Sequence, residues 1–344
     1  MTTRVLLVDD SPSFRAGARA TLALDGRLVI AGEAEDGEGA IAQVRALRPD
    51  VVLMDVQMPG IGGYEATRRI MAEAPTPVVI TSSTIDPARV DATIEALGAG
   101  ALAALPKPPG PSSPSFDAEW RHLWRTVVAM AQVRVVRRWH QGARAPSDAD
   151  AEGRTLRRPT AIAIAASTGG PAALRNILTR LPKDLPAPVF VVQHISPGFA
   201  GGLARWLDGA SPLSVLLAED GQPIVAGRVY VAPTEAHLAI APDGRRIHVT
   251  AADPIGGFRP SANVLFESAA TAYESGTLAL MLTGMGRDGV EGLRRVCEAG
   301  GHVIAQDEQS SVVFGMPGAA VGAGVVHRVA PLSQIPAIVA KSFR

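Results

Sequence analysis

The chain has 344 residues, 47% of them hydrophobic and 4% aromatic. That length holds two domains with separate cores, and a composition rich in Ala, Gly and Val suits α/β better than all-β architecture. The formal net charge is zero, so no global field draws nucleic acid or an anionic membrane to the protein. A single cysteine, Cys297, excludes an intrachain disulfide framework, argues against a Cys-based metal site, and reads as a packing residue. The opening MTTRVLLVDDSPS has too short an apolar run for a secretory signal or membrane span, so a cytoplasmic chain without membrane insertion is expected.

In chain order, the first part alternates short apolar strands with amphipathic helices. RVLLVDD, RLVIAGEAED, DVVLMDVQMPG, TPVVITSST and ALAALPKP read as strands. FRAGARATLALDG, GEGAIAQVRALRPD, YEATRRIMAEA and DPARVDATIEALGAG read as the helices between them. Such alternation with short connections predicts a parallel sheet covered on both faces. The Pro/Ser-rich PKPPGPSSPSFD breaks the series. AEWRHLWRTVVAMAQVRVVRRWH then places Trp120, Leu123, Trp124, Val127, Val128 and Ala131 near one helical face, as a last helix prolonged towards a linker. The polar stretch from Gln141 to Arg158 is that linker. The expected organisation is a first domain over 1–140, a linker over 141–158 and a second domain over 159–344.

A second α/β series follows, with TAIAIAA, APVFVVQ, RVYVAP, LALMLT and GHVIAQ as its strongest strands. RVYVAPTEAHLAIAPDGRRIHVT reads as strand–turn–strand, an antiparallel excursion at the sheet edge. The fold class is therefore two doubly wound parallel-sheet domains, a flavodoxin-like one and a Rossmann-like one with an antiparallel edge hairpin.

In the first domain, Asp9 and Asp10 end one strand and Asp55 ends another. Ligands of open parallel sheets bind at strand carboxyl ends, and three acids gathered there repel one another unless a hard cation such as Mg²⁺ joins them. Ser82 and Lys107 end two further strands, where a hydroxyl and an ammonium can cradle phosphoryl oxygens. RVLLVDDS, VVLMDVQMPG, VVITSS and LPKP together resemble the receiver domain of two-component response regulators over about residues 4–130. The resemblance implies Asp55 as phosphoacceptor, Asp9, Asp10, Asp55 and the Gln57 carbonyl as Mg²⁺ ligands, and Ser82 and Lys107 as phosphoryl sensors. It also marks a departure: the aromatic switch position of that family is Ala104, so switching must use the loop and helix near Ser82.

The second domain carries LTGMGRDG, whose Gly284, Gly286 and Gly289 spell G-x-G-x-x-G. Asp307 follows about twenty residues on, as a ribose-binding acid would. Against a dinucleotide site stands Asp288, a carboxylate where a pyrophosphate would lie. Ser167 sits between a strand and a helix, before Gly169, Gly170 and Pro171. Such a serine is most often a helix N-cap and otherwise a nucleophile. The G-x-S-x-G elbow is absent. His194 exits the next strand beside a Pro/Gly turn, unlike His237, His248, His302 and His327. Ser167, His194 and Asp288 thus fall on one rim of one sheet, the constellation for acyl transfer, with the loop glycines letting the Met285 N–H approach an oxyanion.

AASTGGP, VVQHISPGFAGGLARWL, GRVYVAP, RPSANVLFESAA, LTGMGRDG and IAQDEQSSVVFGMP resemble the catalytic domain of chemotaxis protein-glutamate methylesterases, over about residues 159–340. The resemblance implies Ser167 as nucleophile, His194 as general base, Asp288 as orienting acid and Met285 as oxyanion donor, with no cofactor in this domain. It also implies substrates on the methylated cytoplasmic helices of chemoreceptors, a chemotaxis histidine kinase as phosphodonor, activation by phosphorylation, and deamidation of receptor glutamines by the same chemistry. The alternative is a non-catalytic regulator on the same two domains that binds a partner on phosphorylation.

Overall fold

The computed structural model describes residues 2–22, 26–82, 87–133 and 158–343. The first domain is built from β1 (Thr3–Val8), α1 (Pro12–Thr21), β2 (Leu28–Ala34), α2 (Gly37–Leu47), β3 (Val51–Asp55), α3 (Gly63–Glu73), β4 (Val78–Ser82), α4 (Pro87–Ala99), β5 (Ala103–Pro106) and α5 (Phe116–Ala131). Its sheet is all-parallel in the order β2-β1-β3-β4-β5. β3 and β4 are buried at every residue. Burial on both faces is why these strands read as unbroken apolar runs rather than alternating ones. Local signals start the helices: Ser11 caps α1 by accepting from the Phe14 amide, with Pro12 in the first turn, and Asp36 caps α2 through the Gly39 amide. The helix expected over 118–140 is helical over Phe116–Ala131; its proposed prolongation from residue 134, and nearly all of the linker, lie outside the described residues.

The second domain contains β6 (Ala161–Ala166), α6 (Gly170–Leu178), β7 (Val189–Gln193), α7 (Ala200–Asp208), β8 (Ser214–Leu217), β9 (Arg228–Val231), β10 (His237–Ile240), β11 (Ile247–Thr250), α8 (Ala262–Tyr273), β12 (Thr277–Met281), α9 (Val290–Glu298), β13 (His302–Gln306), α10 (Met316–Gly322), β14 (Arg328–Ala330) and α11 (Ile335–Lys341). Seven parallel strands run in the order β14-β13-β12-β6-β7-β9-β8. The antiparallel hairpin is present as a two-stranded sheet of its own. β9 belongs to the large sheet, while β10 and β11 pair with each other and β10 packs on α8. The reason is apolar: Leu238, Ile240 and Ile247 are buried in the core that α8 shares with one face of the sheet.

Each sheet has a switch point where successive connections leave to opposite sides. In the first it lies between β1 and β3, in the second between β12 and β6. Crevices at such points are where ligands of open α/β sheets bind. The two domains also share a continuous apolar contact, with α4 against α6 and α7. A side chain at Gly98 of α4 would collide with the Trp206 indole of α7, and one at Gly202 would meet Val90 Cγ1 at 2.5 Å. Close helix approach at this junction therefore depends on glycine. Among the described residues, no helix is long and apolar enough to cross a membrane.

Candidate active site

Ser167 follows β6 directly. The helix beyond it is capped by Gly169, at φ 78°, with no side-chain cap bond. Ser167 therefore does not serve as the N-cap, the commonest alternative for such a serine. Its backbone is held from three sides. The Ser167 amide donates to the Thr283 carbonyl at 3.0 Å, the Gly170 amide donates to the Ser167 carbonyl at 2.8 Å, and Gln193 Nε2 donates to the same carbonyl at 2.8 Å. Gln193 also donates to the His194 carbonyl at 2.9 Å, so one buried amide ties the two segments together.

His194 exits β7, its amide donating to Ala166 O at 2.9 Å. Its Nε2 lies 3.0 Å from Asp288 Oδ2, whereas its Nδ1 is buried without a partner among the described residues. Among the described residues no hydrogen bond joins Ser167 Oγ to the imidazole; catalytic bonds of this kind often tighten only with substrate in place. Ser167 and His194 line one cavity of about 330 Å³. Asp288 is buried and accepts from Ser261 Oγ at 2.7 Å, the Ala262 amide at 2.6 Å and the Asn263 amide at 3.4 Å, all at the N-terminus of α8. Burial alone would raise this carboxyl. The bonds from His194, Ala262 and Ser261 outweigh it and hold the group below the usual carboxylate range.

The G-x-G-x-x-G loop follows β12, across the switch point from Ser167. Gly286 and Gly289 have φ of 92° and 96°, a conformation that favours glycine. A Cβ on Gly284 would stand 2.7 Å from Ser167 Cβ and 2.5 Å from Met316 Sδ, so the loop can touch the serine only because this residue has no side chain. The Met285 amide finds no backbone partner among the described residues. Asp307 is spent on its own turn, accepting from the Ser310 amide and hydroxyl.

Several residues of the site were not legible beforehand. Ser261 carried no role in the sequence reading, and its bond to Asp288 spans 27 positions. His237, which competed with His194 in the sequence, is buried: its Nδ1 accepts from the Ser261 amide at 3.2 Å and its Nε2 donates to Asp253 O at 3.1 Å. These two bonds fix the neutral tautomer. Phe258 stacks on the His194 ring, with centroids 4.4 Å apart and planes at 18°.

In the first domain, the carboxylates of Asp9, Asp10 and Asp55 lie within 4.8 Å of one another. Lys107 Nζ is 2.8 Å from both Asp9 Oδ2 and Asp55 Oδ2 and stands 5.0 Å over the Phe14 ring. Burial pushes the Asp9 carboxyl up despite the bond and charge of Lys107. Asp55 Oδ1 is buried with no partner among the described residues. One ammonium does not neutralise this cluster, and its all-oxygen donor set fits a hard divalent cation. Gln57 follows two residues after Asp55, and no amide among the described residues donates to its carbonyl. Ser82 ends β4, fully buried, with its carbonyl accepting from the Lys107 amide at 3.0 Å. Ala104 is buried, and its carbonyl accepts from Ser196 Oγ of the second domain at 2.7 Å.

Residues 162–339 match the family described as CheB methylesterase, and residues 5–113 match the response regulator receiver domain. The chain belongs to the CheB methylesterase family. It is 48% identical to protein-glutamate methylesterase/protein-glutamine glutaminase 4 of Myxococcus xanthus, over 99% of this chain and 97% of that protein. It is 51% identical to protein-glutamate methylesterase/protein-glutamine glutaminase 3 of Anaeromyxobacter dehalogenans, over 95% of each. Among solved structures, the CheB methylesterase catalytic domain of Thermotoga maritima is similar at 42% identity and a TM-score of 0.52, covering 53% of this chain and 98% of that one. In this chain the receiver match precedes the methylesterase match.

Proposed function

We propose that this chain hydrolyses glutamate γ-methyl esters on the cytoplasmic helices of chemoreceptors, and deamidates glutamines there by the same acyl chemistry. The observation that carries the reading is the state of His194: Nε2 is committed to an ionised Asp288, and Nδ1 is left buried and unpartnered in the cavity it shares with Ser167. Ser167 Oγ attacks the ester carbonyl carbon while Nδ1 takes its proton. The Met285 N–H supports the resulting oxyanion. Collapse breaks the C–O bond, and the imidazolium hands its proton to the departing methoxide, releasing methanol. Water then gives a proton to Nδ1 and its oxygen to the acyl-serine, freeing a glutamate side chain and restoring Ser167. With glutamine as substrate, ammonia leaves instead. Asp288 stabilises the imidazolium in both halves.

The receiver supplies the control. Asp55 accepts a phosphoryl group from a chemotaxis histidine kinase, and Ser82 and Lys107 contact its oxygens. Asp9, Asp10, Asp55 and the Gln57 carbonyl would hold Mg²⁺, which neutralises charge around the phosphoryl group. The same cavity that exposes Ser167 and His194 is walled by Leu102, Ala103, Ala104, Leu105, His122 and Met130 of the receiver. A domain in that position obstructs a helical substrate, and phosphorylation shifts the equilibrium towards release. The test is methanol release from methylated receptor membranes. Ser167→Ala is expected to lose roughly 10⁴-fold or more; near-normal turnover by that variant contradicts the assignment.

A further inference from the structure

The Asp288 bond fixes only one atom of the His194 ring. With Cγ anchored to Cβ and Nε2 to Asp288, the ring can still pivot about the line joining those two atoms and carry Nδ1 out of line with Ser167. What limits the pivot is the flat face of Phe258, stacked on the imidazole at 4.4 Å and 18°. We propose that Phe258 is a positioning residue for His194, holding its plane against the Asp288 hydrogen bond and favouring the imidazolium formed when Ser167 loses its proton. This rests on the reading of His194 as the general base.

The local backbone is built to present that ring. Ile255 and Phe258 exchange backbone hydrogen bonds, both 3.1 Å, around Gly256 and Gly257 at φ of 61° and 88°. Two central residues with positive φ make a type I′ turn, which is why both are glycine. The base of the turn is pinned twice. Arg259 Nη1 donates to Ala251 O and Ala252 O at 3.2 and 3.3 Å. His237 bonds Asp253 O on one side and the Ser261 amide on the other. Ser261 is the residue whose hydroxyl holds Asp288. The ring that stacks on His194 and the acid that bonds it are thus set by one short scaffold, residues 251–263. An aromatic face also attracts a cation through its quadrupole, an effect an aliphatic side chain of similar bulk lacks.

The experiment uses the full chain with methylated receptor membranes and a phosphodonor, comparing wild type, Phe258→Leu, Phe258→Tyr, Ser167→Ala and His194→Ala. A second readout is the rate at which a small fluorophosphonate labels Ser167, which needs an activated serine but no receptor. Phe258→Leu is expected to lower kcat and the labelling rate about tenfold, with KM within twofold and melting temperature unchanged. Phe258→Tyr should restore both rates. Wild-type rates in Phe258→Leu overturn the proposal, as does a change confined to KM or a Tyr variant as slow as Leu. Equal labelling of Ser167→Ala or His194→Ala instead overturns the underlying reading of the triad, so the two failures are distinguishable.

Discussion

Replacing Asp288 with asparagine removes a charge while the geometry tells how the new amide must sit. Oδ2 serves the Ala262 amide at 2.6 Å, a donor that cannot reverse, and His194 Nε2 at 3.0 Å, which donates in the tautomer that leaves Nδ1 free to accept. Oδ1 serves the Ser261 hydroxyl at 2.7 Å, which can rotate to accept, and the Asn263 amide at 3.4 Å, the weakest of the four bonds. The carbamoyl group therefore settles with its oxygen towards Ala262 and His194 and its NH₂ towards Ser261. Ring orientation and tautomer survive; the carboxylate charge opposite the imidazolium does not. Opposite charges about 4 Å apart interact by about 4 kcal/mol at an effective dielectric near 20, so kcat should fall about 10³-fold with KM little changed. Ser261→Ala, which removes one bond to the charged acid worth about 1.5–3 kcal/mol, should cost about 10- to 100-fold. Steady-state methanol release, with circular dichroism to verify folding, measures both. An Asp288→Asn variant within tenfold of wild type refutes the argument that an ionised Asp288 stabilises the imidazolium.

Gly284→Ala would place a methyl group 2.7 Å from Ser167 Cβ, and is expected to lower kcat at least 100-fold, about 3 kcal/mol of barrier, with a smaller loss in melting temperature. Gly98→Ala forces a side chain into the Trp206 indole at the domain junction; it should raise methanol release without phosphodonor severalfold, and an unchanged basal rate would remove α4 from the account of inhibition. His302 is pushed down to about 4 by burial and by His327 and Arg328. Between that value and the unfolded value of 6.5 the unfolded chain binds the extra proton, so stability falls as pH drops through this window. His302→Gln should flatten the fall in chemical denaturation between pH 6.5 and 4.

Both parallel sheets were legible because buried strands leave continuous apolar runs, and because Ser167, His194 and Asp288 stand at strand or loop positions that a parallel sheet gathers on one rim. What escaped was set by packing at a distance. β8 and β14 are short strands at the sheet edges and partly exposed. The hairpin was visible as a hairpin, but its docking on α8 depends on which apolar faces meet. His237 could not be told from a catalytic histidine until its two backbone bonds consumed both ring nitrogens. Phe258 carried no sequence signal of its own; only the fold sets it on His194. Ala104, read as a missing switch residue, turns out to offer its carbonyl to Ser196, two positions beyond His194.

The central claim is that Asp55 governs chemistry at Ser167 by moving the receiver off the cavity that Ser167 lines. Its most direct measurement is the rate of methanol release from methylated receptor membranes by the full chain, with and without a small phosphodonor and Mg²⁺, for wild type, Asp55→Ala and Ser167→Ala. The account predicts release that requires Ser167 and rises with phosphodonor only when Asp55 is present. Ser167-dependent release that ignores the phosphodonor would contradict the coupling, and release that persists in Ser167→Ala would contradict the site itself.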